Sequence, residues 1–185
     1  MQWLINSDGE RLMQGTILYG VDFGYGEFNP PCVVLSNACD LEHGKVSFIV
    51  LAILVPAKET LRETKEVNGL IDGKDISLLK DRAKKSLLKI YTDRIHNKIV
   101  GRYYFFDPRP VMNMDPLLVD FQHVCSCDYS NLLQLISNGK VRLIGQLDHP
   151  YVEQMMMQYA GYMGRVPADR LTEEETEKVV GELLV

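Results

Sequence analysis

The chain has 185 residues, 46% hydrophobic and 24% charged, with a formal net charge of −5. That composition supplies a core for one domain with an appendage, and the acidic balance excludes wholesale coating of nucleic acid. No basic region followed by an apolar run opens the chain, and its longest apolar run is about half the ~20 residues of a spanning helix.

A soluble, cytoplasmic protein with no membrane partner is therefore the expectation. Its four cysteines read as free thiols rather than a disulfide framework.

A short edge strand is expected at Trp3–Ile5, closed by the Asp8-Gly9 turn signal. A strand follows within Met13–Val21. Phe23–Pro31 then forms a loop in which glycines interleave with aromatics. Cys32–Leu35 and Val46–Val55 are uniformly apolar, as for strands covered on both faces. Pro56 stops the second of them.

Lys58–Val67 reads as a charged helix ended at Asn68-Gly69. Asp75 is expected to cap a longer helix running to about Tyr91. Its Ile76, Leu79, Ala83, Leu87 and Ile90 fall on one stripe. Ile99–Phe106 and Leu117–Cys127 read as strands, the second alternating so that Phe121, His123, Cys125 and Cys127 share a face. Asn131–Ile136 is a short helix, stopped at Asn138-Gly139. A helix apolar almost all round runs from Pro150 to Met163, and a capping-box pattern at Thr172 opens an acidic terminal helix.

Reactive side chains concentrate between the two apolar strands, in Ser36–Gly44. Cys39 is the candidate nucleophile, since a neighbouring imidazolium such as that of His43 lowers a thiol's pKa. Ser36 and Asp40 complete this candidate set. The competing readings are a small thiol packed under a corner and an Asp40 that caps the turn. A zinc alternative recruits Cys39, His43, His123, Cys125 and Cys127, but the spacing lacks paired knuckles. No metal or other cofactor is therefore expected.

Lys80, Arg82, Lys84, Lys85 and Lys89 make a basic cluster in an acidic chain. It is either a solvated face or a patch for nucleic acid or an acidic partner. Arg165 is open to pairing in the core or with a ligand phosphate.

Gly15-Thr16-Ile17 and Pro31-Cys32-Val33-Val34-Leu35-Ser36 resemble the opening of PemK/MazF-type toxins, which implies an SH3-like barrel and ribonuclease activity. Asn29-Pro30 stands where those enzymes carry an arginine. A second resemblance spans most of the chain, to bacterial and phage proteins of unknown function carrying V-V-[LI]-S-x-x-C-D. Its counterparts are Val33–Asp40, Tyr103–Pro110, Val119-Asp120-Phe121, and Pro150–Glu153 through Tyr159–Tyr162 to Arg165-Val166. It implies a shared fold, interest in Cys39 and Asp40, and a setting in mobile or conflict-related operons.

The expected fold is α+β: a small, partly open SH3-like β-barrel over residues 1–147 with a helical insertion at about 57–97. A helical extension over 148–185 packs on it. The expected function is a binding or regulatory module with a protein or nucleic-acid partner, homo-oligomeric through the 150–163 helix. The alternative is a PemK-like ribonuclease-fold hydrolase or a Cys39-dependent hydrolase.

Overall fold

The structure, a computed structural model, describes residues 4–5, 11–24, 29–71, 73, 76–164 and 172. Trp3, Tyr25, Phe28, Asp75, Arg165 and the acidic segment after Thr172 lie outside them.

The fold is α+β, a curled antiparallel half-barrel with helices around it. Its strands are β1 (Leu4–Ile5), β2 (Thr16–Tyr19), β3 (Cys32–Val34), β4 (Phe48–Pro56), β5 (Tyr103–Phe106), β6 (Leu117–Asp128) and β7 (Arg142–Leu147). The helices are α1 (Ala38–Glu42), α2 (Ala57–Glu63), α3 (Lys65–Ile71), α4 (Asp81–Ile95), α5 (Arg109–Met112), α6 (Tyr129–Ser137) and α7 (Tyr151–Met163), with a 3-10 turn at Ile76–Leu78. The sheet order is β1-β7-β2-β3-β4-β6-β5, and every pairing is antiparallel.

The apolar runs behave as their composition requires. Successive residues of β2, β3 and β4 enter opposite cores: Ile17, Val33, Ala52 and Leu54 on one side, Leu18, Cys32, Val34, Ile49 and Leu51 on the other. The first core is closed by α2 and α7 through Leu61, Val152 and Met155. The second is closed by Leu41 of α1 and Leu132 of α6. With no face left in water, alternation has nothing to record.

Several boundaries differ from the sequence reading. The charged helix breaks in two at Thr64, whose ψ of 143° is extended and whose Oγ1 donates to Leu61 O at 2.8 Å. Asn68 and Gly69, expected as a stop, lie inside α3, where Val67 and Ile71 pack against Leu79 and against Leu87 of α4. Tertiary burial overrides the cap signal. The next helix starts at Asp81, with Lys80 as its N-cap, and Ile76 of the expected stripe is 46% exposed. α7 is not apolar all round. Val152, Met155 and Gln158 are buried, whereas Glu153, Gln154, Met157, Ala160 and Met163 are exposed.

β5 ends the sheet, and an open edge invites pairing with other chains. Asn97 occupies it. Its Oδ1 accepts the Phe105 N–H at 2.7 Å and its Nδ2 donates to Phe105 O at 2.8 Å, with the residue itself in the left-handed region at φ 52°. One side-chain amide thus stands in for a missing strand.

Candidate active site

The largest departure from regular structure lies in β6. Ala52 of β4 pairs with Val124, but the next residue, Ile53, pairs with Asp120. Phe121, Gln122 and His123 therefore intervene with nothing opposite, and the strand bulges. This overturns the expected shared face of Phe121, His123, Cys125 and Cys127. Phe121 is 2% exposed and packs on Tyr159 and Tyr162 of α7, at centroid distances of 5.3 and 6.2 Å. His123 turns outward, its side chain 50% exposed.

The bulge gathers a charged cluster around Asp120, whose side chain is only 2% exposed. Arg102 donates to it through Nε at 2.7 Å and Nη2 at 2.6 Å, a two-pronged grip. His123 Nδ1 lies 2.7 Å from Oδ2, and the Gln122 N–H donates to Oδ1 at 3.1 Å. The Arg102 carbonyl accepts the Phe121 N–H at 2.9 Å, tying the arginine to the bulge, and its guanidinium lies over the Tyr103 ring at 4.8 Å.

Burial alone would raise the Asp120 carboxyl's pKa. The hydrogen bonds from Arg102, His123 and the Gln122 amide, with the Arg102 charge, outweigh burial and hold it below the usual carboxylate value. Arg102 is held above its ordinary value by the same hydrogen bond. Asp120 is therefore ionised at neutral pH and accepts only. Arg102 Nη2 also approaches Nδ1, at 3.5 Å. The 2.7 Å contact with an acceptor-only carboxylate is the stronger and favours the proton on Nδ1 in neutral His123, which leaves the Nε2 lone pair free. Nε2 has no partner among the described residues.

Beside this imidazole lies a cleft of about 400 Å³. Ile53 and Val55 of β4 give it an apolar wall, and Thr60 and Glu63 of α2 add a hydroxyl and a carboxylate. An oriented base, a guanidinium and a hydroxyl around a partly apolar cleft constitute the chemistry of proton abstraction from a bound hydroxyl or water.

Apart from His123, which the zinc alternative names, the candidate residues singled out from sequence do not line this cleft. Ser36 Oγ accepts the Val50 N–H at 2.8 Å and so pins β3 to β4. Asn37, not Asp40, caps α1 by accepting the Cys39 N–H at 2.9 Å. Cys39 and Asp40 are exposed, and His43 closes the helix with its backbone N–H on Cys39 O at 3.1 Å. Among the described residues no hydrogen bond joins the side chains of Ser36, Cys39, Asp40 and His43.

Cys125 and Cys127 pack into the second core with Cys32, whereas Cys39 and His43 are exposed. Among the described residues no group of three or more His, Cys, Asp or Glu side chains is placed to hold a metal ion. Burial pushes the Cys32 and Cys125 thiols up and, with the neighbouring Cys125 and Asp128 charges, Cys127 up to about 11. All three are protonated at neutral pH, Cys32 fully buried and Cys125 and Cys127 partly so. In the native protein a maleimide should label Cys39 first and Cys32 only after unfolding, as mass spectrometry of timed samples would report. Equal rates for the two would contradict the burial described.

Sequence reasoning missed Arg102 and Asp120 as site residues. One signal was present: an aspartate amid Leu117-Leu118-Val119 and Phe121 needs a partner if that strand is covered. The bulge that aims His123 leaves no such trace. The chain matches no family model, and it matches no curated protein.

Proposed function

We propose that the protein is a hydrolase in which His123 is the general base, Asp120 its orienting carboxylate and Arg102 the anion-facing cation, carried on a partly open SH3-like barrel. The observation that carries this reading is the 2.7 Å contact between His123 Nδ1 and a carboxylate that is 2% exposed. A buried, ionised Asp120 fixes the tautomer and leaves the basic nitrogen at the cleft. This set differs from the Cys39, Asp40, His43 and Ser36 of the Cys39-dependent alternative. A phosphodiester is the substrate class to try first, because Arg102 retains N–H donors beyond the two on Asp120.

The test is an assay of the purified chain on single-stranded RNA, an activated phosphodiester and an activated ester. Turnover that disappears in His123→Ala and persists in Cys39→Ser supports the proposal. Turnover that follows Cys39 instead, or none on any of the three, overturns it.

A second reading, a binding or regulatory module of a mobile or conflict-related system, is supported by the basic helix. Lys80, Arg82, Lys84, Lys85 and Lys89 are all exposed. Lys89 is paired with Asp93 at 2.7 Å, but Lys80, Arg82 and Lys85 have no acidic partner among the described residues. Self-association of α7 through its exposed Met157 and Met163 belongs to this reading.

A further inference from the structure

We propose that the outer face of α4 and the turn before it dock on an anionic lipid membrane. This rests on the reading of α4 as a binding surface and is independent of the hydrolytic site. The inner face of α4 is already occupied, since Leu87, Ala83 and Ile90 pack with Val67 and Ile71 of α3. What remains outside is not only basic. Leu78 is 75% and Leu88 69% exposed, and Ile95 is 39% exposed.

These side chains and the lysines form one surface. Lys84 Nζ donates to Ser77 O at 3.0 Å, which holds the turn carrying Leu78 against the helix. Leu88 lies one turn beyond Lys84 on the same side, and Ile95 continues that line seven residues on. Lys80 and Lys85 flank it, exposed and without acidic partners among the described residues.

The mixture decides between anionic partners. Nucleic acid would satisfy the cations but offers little to aliphatic tips, because bases stack on aromatic rings and guanidinium planes. The cluster is four lysines to one arginine, and its exposed apolar members are aliphatic. A membrane surface satisfies both halves. Leucine tips enter the boundary between headgroups and acyl chains, while lysine stems lie along them and carry their charges back to the headgroups. Clustered lysines on such a helix draw it to anionic lipid over neutral lipid. The geometry is that of a helix lying on the surface. No helix among the described residues is long and apolar enough to cross a membrane.

The test is co-sedimentation of the full chain with vesicles of phosphatidylcholine alone or mixed with phosphatidylserine, at low and high salt. Binding is expected only with phosphatidylserine and only at low salt. The double variant Lys80→Glu/Lys85→Glu and the single variant Leu88→Ser should each weaken it by about tenfold. Both change exposed side chains, so unaltered circular dichroism is expected. Failure to bind mixed vesicles, equal binding to phosphatidylcholine alone, or indifference to Leu88→Ser overturns the proposal. Binding to single-stranded RNA or poly-glutamate without binding to vesicles also overturns it, while sparing the wider reading of α4 as a binding surface. The hydrolase assay is untouched by any of these outcomes.

Discussion

Asp120→Ala is expected to cost about 2–4 kcal/mol of folding stability, read as a lower midpoint in urea unfolding. Asp120 is almost fully buried and satisfies Arg102, His123 and the Gln122 amide at once. Its removal leaves a guanidinium aimed at an empty, desolvated site. Breaking a fully buried pair costs about 3–5 kcal/mol, and the 37% exposure of Arg102 brings the figure down, because water can reach the orphaned cation. Asp120→Asn keeps the volume but loses the charge, so its cost should be smaller.

The same cluster sets a pH dependence. Because the Asp120 carboxyl lies below its ordinary value in the folded protein, its contribution is fully present above the unfolded carboxylate's pKa of about 3.9. It is lost as pH falls through the depressed folded value. The stability gap between wild type and Asp120→Ala should accordingly be full at neutral pH and close on acidification. A gap that widens in acid would contradict the assignment of Asp120 as the ionised partner.

His123→Ala is expected to lower hydrolytic turnover by about 10²–10⁴-fold, the usual contribution of a positioned general base. Its effect on stability should be small, about 1 kcal/mol, since the side chain is half exposed and surrenders one hydrogen bond. That contrast separates catalysis from folding. Asp120→Asn should also lower turnover, because a carboxamide can donate to Nδ1 and select the wrong tautomer. A loss of turnover in Asp120→Asn with full activity in His123→Ala would mean that Asp120 acts without the imidazole.

The central sheet was legible in the sequence because its signal is local. Cys32–Val34 and Phe48–Pro56 are strands for the reason their composition suggests: both faces are covered. The helix through Met163 was also visible, but its polar stripe was not, because Glu153 and Gln154 are outnumbered by methionines and tyrosines in any window. β7, Arg142–Leu147, escaped notice: it is short, flanked by Gly139 and interrupted by Gly145.

The candidate site was the least legible part. Arg102, Asp120 and His123 meet because three residues of β6 leave the ladder, and a bulge of that kind is decided by packing of Phe121 against α7 rather than by neighbours in sequence. Ser36–His43, by contrast, drew notice through density of reactive types. That density arises from ordinary local tasks: Ser36 bonds the Val50 amide, Asn37 caps α1 and His43 ends it.

The protonation state of the His123 ring tests the central claim most directly. Long-range nitrogen–proton correlation spectra of the protein labelled with nitrogen-15, assigned through His123→Ala, distinguish the two ring nitrogens. At a pH where the ring is neutral, a protonated Nδ1 and an unprotonated Nε2 are predicted. A proton on Nε2 would mean that Asp120 does not hold the ring as a base, and would contradict the account.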